Sequence, residues 1–201
     1  KGSFATLANG FQFHYHDVWQ GYVVLFLHGS GTGASVFTNF KKNIDFFQRN
    51  GFRTIVPDLP GYGFSDKPED EIYTMSFFNN LLLELLDHLN IANCSVVGNS
   101  LGGALAMGLS LEQPKRFSKL ILMAPGGLED FNAYQEMPGI KKLLGDFLGG
   151  EMNQEKIEGL LKLFPYDPSF VTKDIIEDRM EILPLMNQQV LASMDIPNLS
   201  E

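Results

Sequence analysis

The chain has 201 residues, 44% hydrophobic and 19% charged, which suffices for one large domain with a sizeable core and excludes a disordered or fibrous protein. Its net charge of -9, from 15 Lys and Arg against 24 Asp and Glu, repels a phosphate backbone and argues against a nucleic-acid partner. No apolar run reaches the roughly 18 residues of a membrane span and no signal-type segment opens the chain, while the lone Cys94 in an apolar stretch fits a reducing, cytoplasmic setting.

Strand and helix patterns alternate from the start. Phe11 to His16 alternates apolar and polar residues behind the turn Ala8-Asn9-Gly10, which predicts a half-exposed strand near a sheet edge. Tyr22 to Leu27 is continuously apolar, the pattern of a strand covered on both faces. Phe37, Phe40, Ile44 and Phe47 then fall at helical spacing, with Asn50-Gly51 as a stop. Arg53 to Asp58 predicts the next strand, and the glycine-rich turn Leu59 to Ser65 follows it. An amphipathic helix is expected from about Thr74, with Phe77, Phe78, Leu81, Leu82, Leu85, Leu86 and Leu89 on its buried side. Cys94 to Val97 predicts a strand, Leu101 to about Gln113 a helix closed by Pro114, and Leu120 to Met123 a further strand. This alternation implies parallel pairing through right-handed crossovers, an α/β fold.

Beyond Pro125-Gly126-Gly127 only helical patterns are legible. They run through Ile157, Leu160, Leu161 and Phe164, then through Ile175, Ile176, Met180 and Leu183 behind a Thr172 cap. Residues 1–127 are therefore expected to form the core, 128–195 a helical cap without strands, and 196–201 the start of a return to the core.

The most informative element is Gly98-Asn99-Ser100-Leu101-Gly102, placed between a strand pattern and a helix start. G-x-S-x-G in that context is a sharp strand-to-helix turn that lifts a serine Oγ above the sheet, with a helix N-terminus beneath it that favours developing negative charge. A bystander serine in a tight turn is the bland alternative. The loop His28-Gly29-Ser30-Gly31-Thr32-Gly33-Ala34 follows an earlier buried strand and can aim a backbone N–H at an oxyanion. Ser30 and Leu101 N–H form the expected oxyanion pair, with Ser100 as catalytic nucleophile. A phosphate loop is the rival reading of the glycine-rich turn, but G-K-[ST] and G-x-G-x-x-G are both absent from it.

These two loops, the turn Asp58-Leu-Pro-Gly-Tyr-Gly-Phe-Ser65 and the placement of the cap resemble the α/β-hydrolase fold superfamily. Within it, His28 to Ser35 with Asn39, Gly98-Asn-Ser-Leu-Gly-Gly103, Leu122-Met-Ala-Pro-Gly-Gly-Leu128, Leu163-Phe-Pro-Tyr-Asp167 and Asp178-Arg179 resemble the meta-cleavage product hydrolases. Those enzymes hydrolyse a carbon–carbon bond in 2-hydroxy-6-oxo-dienoates from catechol ring opening. The resemblance implies a mostly parallel sheet with flanking helices and a cap inserted after the strand that follows the nucleophile helix. It further implies Asn39, Asn99 and Arg179 as ligands of the substrate's carboxylate and enol oxygen, Phe164 on its apolar side, no metal or prosthetic group, and a small-molecule substrate. Phe37 is expected with Phe164 in the apolar wall near the elbow. A homo-oligomer is left open. Each polar residue also has a plainer role: Asn39 can brace its helix, Asn99 the elbow backbone, and Arg179 a solvated network with Glu177, Asp178 and Glu181.

In this superfamily the serine precedes an Asp or Glu and then a His, whereas His14, His16, His28 and His88 all precede Ser100. The expectation is a partial chain lacking the C-terminal strands with the triad acid and histidine, and inactive as it stands; a start at Lys1 rather than Met agrees with a processed or partial product. Glu129 or Asp130 is the fallback position for the acid. Thr32 occupies a position where the family more often has proline. A carboxylesterase of the same fold, or a non-catalytic relative that keeps the pocket for binding, are the alternatives.

Overall fold

The computed structural model describes residues 2–18, 20–129, 131–148, 152–185 and 194–195. The run Tyr22–Leu27 forms strand β3 with the bounds its apolar pattern predicts, counting in chain order after β1 (Ser3–Thr6) and β2 (Gln12–Val18). Its side chains alternate between two hydrophobic clusters, Leu25 and Leu27 on one face and Val24 and Phe26 on the other. Strands β4 (Phe52–Pro57) and β6 (Cys94–Asn99) pair in parallel with its two edges, and β7 (Phe117–Met123) pairs in parallel with β6. The sheet order is β1-β2-β4-β3-β6-β7, with β2 antiparallel to both neighbours. In β7, Leu120, Ile121, Leu122 and Met123 are each at least 36% exposed.

The β1 strand lacks a legible sequence pattern, because it has four residues of which only Ala5 is buried. It exists through pairing with β2 across a turn in which Gly10 takes φ +87° and donates to the Leu7 carbonyl at 2.9 Å. That pairing moves β2 one place in from the sheet edge.

Helix α1 (Val36–Arg49) begins in a capping box, with Ser35 Oγ accepting the Thr38 N–H and the Thr38 hydroxyl accepting the Ser35 N–H. Phe40 enters the core against Phe26, ring centroids 5.2 Å apart. On the opposite face lie α2 (Met75–His88), capped by Thr74, and α3 (Leu101–Glu112), which contribute Phe78, Leu82, Leu85, Ala104, Leu105 and Leu109 to the larger cluster. At about 1.5–3 kcal/mol per fully buried apolar side chain, these two layers are the main stabilising term.

After β7 the chain runs through α4 (Phe131–Glu136), α5 (Pro138–Leu148), α6 (Gln154–Leu161) and α7 (Lys173–Ile182). Ile157, Leu160, Ile176 and Ile182 are the buried residues of the α6 and α7 pair. Helix α7 meets α1 where Lys41 of α1 forms ion pairs with Asp178 and, at 3.4 Å, with Asp174. One correction applies to the expectation of a strand-free cap: Met194–Asp195 forms a two-residue strand, β8, parallel to β5 (Tyr73–Thr74) at the start of α2. So short a strand has no period to read, and only its partner, about 120 residues earlier, defines it. Residues 196–201, the expected return to the core, lie outside the described residues.

Candidate active site

The sheet delivers Ser100 at the C-terminal end of β6, where the chain must reverse into α3 within one residue. Ser100 takes φ 52° and ψ −114°, a strained backbone for a residue with a side chain. The strain is held from both sides. The Ser100 N–H donates to the Met123 carbonyl at 3.0 Å, and its own carbonyl accepts from Gly103 at 2.9 Å, Ala104 at 3.1 Å and Gly126 at 3.0 Å. The flanking glycines are there for room: a Cβ on Gly98 would lie 2.3 Å from the Gly102 carbonyl oxygen, and one on Gly102 would lie 2.1 Å from that of Leu27. Among the described residues the Ser100 hydroxyl has no hydrogen-bond partner, and it stands at the N-terminus of a twelve-residue helix.

The loop 28–35 packs directly onto this elbow. The His28 carbonyl accepts the Gly102 N–H at 3.1 Å, and a Cβ on Gly29 would lie 3.2 Å from Ser100 Cβ. Neither the Ser30 nor the Leu101 N–H donates to a protein acceptor among the described residues, so both are available to an oxyanion.

Asn39 and Asn99, predicted as substrate ligands, are brought together here but spend much of their polarity on each other. Asn39 Oδ1 accepts from Asn99 Nδ2 at 3.0 Å and from the Gly29 N–H at 3.3 Å, while its Nδ2 donates to the Ser35 carbonyl at 3.2 Å. They brace loop, helix and elbow as a unit. Arg179 comes from α7 and joins the same loop, its Nη1 donating to the Thr32 carbonyl at 3.0 Å. Its Nε is shielded from solvent and without a partner among the described residues, and burial lowers the guanidinium pKa to about 10. Instead of the solvated network with its helical neighbours, the arginine turns inward; Gly33, at φ +66°, leaves the space, since a Cβ there would lie 2.7 Å from the Arg179 carbonyl oxygen.

Both aromatics of the expected apolar wall are exposed. Phe37 sits beside His16, ring centroids 6.5 Å apart, under Lys41, because Val36 and Phe40 take the inward positions of α1. Phe164 is 64% exposed in the turn after α6, and no contact joins it to the elbow among the described residues. The fallback acid Glu129 is exposed on the bend after β7, and Asp130 lies outside the described residues.

None of the four imidazoles bonds to Ser100. His28 is fully buried, donates from Nδ1 to the Gly29 carbonyl at 2.8 Å and accepts the Leu59 N–H at Nε2, 2.9 Å. Burial lowers its pKa to about 4, so it is neutral. His88 is exposed at the end of α2. His14 forms a buried pair with Asp58, Nδ1 to Oδ2 at 2.8 Å, which the sequence reading missed. The signal lay in the β2 and β4 register: Tyr15 opposite Pro57 places His14 across from Asp58, but no local pattern announces that pairing. Burial raises the Asp58 carboxyl pKa, yet bonds from His14, Phe64 and Val36 outweigh it and leave the pKa below the ordinary value. No group of three or more His, Cys, Asp or Glu side chains gathers at metal-binding distance among the described residues.

A parallel sheet with an antiparallel start, a strained serine between strand and helix, a glycine-rich loop packed on it and a helical excursion after the next strand define the class of α/β-hydrolase folds. The family model for the alpha/beta hydrolase fold matches residues 22–154, and the chain belongs to that family. It is 36% identical over 173 residues to the 2-hydroxy-6-oxo-6-phenylhexa-2,4-dienoate hydrolase of Burkholderia cepacia, covering 85% of this chain and 59% of that protein. To a 2-hydroxy-6-oxononadienedioate/2-hydroxy-6-oxononatrienedioate hydrolase of Comamonas testosteroni it is 35% identical, with 85% and 59% covered. Among solved structures, the meta-cleavage product hydrolase of Pseudomonas fluorescens superposes with a TM-score of 0.80 at 30% identity, covering 96% of this chain and 66% of that one. The chain thus resembles the meta-cleavage product hydrolases while spanning about 59% of the length of these curated relatives.

Proposed function

We propose that this chain carries the nucleophile, the oxyanion donors and the carboxylate anchor of a hydrolase that breaks a carbon–carbon bond in 2-hydroxy-6-oxo-dienoates, small molecules with one carboxylate end. The observation that carries the reading is Arg179, a guanidinium withdrawn from solvent against the oxyanion loop with no ion pair among the described residues. A buried cation without an acid is costly, and a substrate carboxylate would offset that cost beside the loop that carries Ser30, where Arg179 bonds to the Thr32 carbonyl.

In this reading the bound dienol first ketonises, so that the fragment on the far side of the scissile bond can leave as a conjugated carbanion. Ser100 Oγ adds to the 6-oxo carbonyl, giving an oxyanion that the Ser30 and Leu101 N–H groups stabilise. Collapse breaks the carbon–carbon bond, the carbanion takes a proton, and water cleaves the acyl-serine to a carboxylic acid. None of His14, His16, His28 or His88 bonds to Ser100, so none of the four serves as its base in this reading. A cytoplasmic setting suits the buried, unpaired Cys94, whose thiol pKa burial raises to about 12, and among the described residues no helix is long and apolar enough to cross a membrane.

The test is to incubate the complete gene product with a 2-hydroxy-6-oxo-dienoate and with p-nitrophenyl acetate, beside its Ser100→Ala variant. Cleavage of the dienoate into two acids, falling to below about a hundredth in the variant, is expected. Turnover of the ester alone would place the protein among esterases, and binding without turnover of either would make it a binding relative.

A further inference from the structure

The loop that carries the Ser30 N–H contains three glycines between residues 28 and 34, and glycine-rich backbone loses more conformational entropy than other sequences on being held still. Three of its tethers run to one segment, the turn 58–65. At its start, His28 Nε2 accepts the Leu59 N–H at 2.9 Å. In the middle, the buried Tyr62 ring stacks edge-on against His28 at 5.2 Å and its hydroxyl donates to the Ser30 carbonyl at 3.4 Å. Just past its end, Asp58 Oδ1 accepts the Val36 N–H at 3.1 Å.

The turn itself is built around Asp58, 2% exposed. Its Oδ2 takes the His14 Nδ1–H at 2.8 Å and the Phe64 N–H at 3.0 Å. Its carbonyl accepts the Ser65 hydroxyl at 2.6 Å, and Ser65 Oγ in turn accepts the His14 N–H at 2.9 Å. Lys67 closes the outside by donating to the Gly63 and Ser65 carbonyls at 2.8 and 2.7 Å. The carboxylate has no spare room, because a Cβ on Gly63 would lie 2.2 Å from Oδ2. One carboxylate thereby ties β2, the turn and the first residue of α1 together, and a paired His14 keeps its second oxygen occupied.

We infer that Asp58 and His14 are positioning residues: by fixing the turn 58–65 they hold the oxyanion loop, and with it the Ser30 N–H, over Ser100. They touch no reacting atom and act through the loop. The inference rests on the reading of Ser30 as an oxyanion donor, and it deepens that reading by naming what keeps the donor in place.

The experiment uses the complete gene product with His14→Phe, which removes the donor; His14→Asn, which restores one at the Nδ1 position; and Asp58→Asn. Amide hydrogen exchange is followed by segment, together with kcat and KM on the dienoate and on p-nitrophenyl acetate. For His14→Phe and Asp58→Asn, exchange in 29–36 should quicken by about tenfold while 94–99 stays unchanged. On either substrate kcat should fall by about 10- to 100-fold with KM within about threefold, a partial loss below the roughly 100- to 1,000-fold of removing one oxyanion donor outright. His14→Asn should recover most of both. Unchanged exchange in 29–36, or exchange quickened equally in 94–99, would overturn the inference and leave a structural pair. Should the parent protein turn over neither substrate, the functional reading fails by itself, and the exchange pattern still decides whether Asp58 and His14 hold the loop.

Discussion

Acidification tests the structure at His28, and the expected effect follows from its surroundings. The imidazole is fully buried with both nitrogens engaged in the neutral form, Nδ1 donating to Gly29 and Nε2 accepting from Leu59. Protonation would place a hydrogen on Nε2 facing the Leu59 N–H. Burial is the main cause that lowers its pKa from 6.5 to about 4, aided by Arg179 and opposed by Asp58 and the Gly29 bond. The unfolded chain therefore takes the proton first. His28 contributes its full stability above pH 6.5, loses it as pH falls from 6.5 toward about 4, and adds no further slope below that. At roughly 1.4 kcal/mol for each tenfold change, the loss is about 3 kcal/mol, a large part of an ordinary domain's stability. Urea unfolding of the parent protein and of His28→Gln at intervals from pH 7.5 to 4 isolates the effect, because His16 and Asp58 are common to both. The gap between the two stabilities should narrow by about 3 kcal/mol across that range. Parallel curves, or an imidazole NMR signal of His28 titrating near its ordinary value in the folded protein, would refute the reasoning.

Three further outcomes are expected. Arg179→Gln should cost about 2–4 kcal/mol in kcat/KM on the dienoate, the scale of a charge-assisted contact at a desolvated site, and barely change hydrolysis of p-nitrophenyl acetate, which lacks the carboxylate; equal losses on both would make the arginine structural. Gly102→Ala places a Cβ 2.1 Å from the Leu27 carbonyl oxygen and 2.8 Å from that of His28, both backbone atoms, so chemical denaturation should show a loss of at least about 2 kcal/mol. Lys41→Gln removes the ion pairs to Asp174 and Asp178 that seat α7 on α1; with side-chain exposures of 23% for the lysine and 57% and 23% for its partners, the global cost should stay within about 1 kcal/mol, while limited proteolysis between α6 and α7 quickens.

What was legible from residues alone was local. The β3 strand had its bounds in a six-residue apolar run, α1 its end in Asn50-Gly51, α2 its start in Thr74, and the elbow its glycines, because each is set by contacts within a few residues. Helical periodicity likewise announced the cap residues Ile157, Leu160 and Ile176. The rest depended on distant partners. Strand β1 exists through β2, β8 through β5, and His14 matters through Asp58, 44 residues away. Phe37 read as an apolar wall residue, but Val36 and Phe40 take the inward positions of its helix. Arg179 shows the division most plainly, since in sequence it stands among acids and suggests a solvated helix face, whereas the fold carries it 147 residues back along the chain to the Thr32 carbonyl. Periodicity and turn chemistry encode which face of an element is apolar, but which elements meet, and so whether a charge faces water or the interior, is decided by how the layers pack.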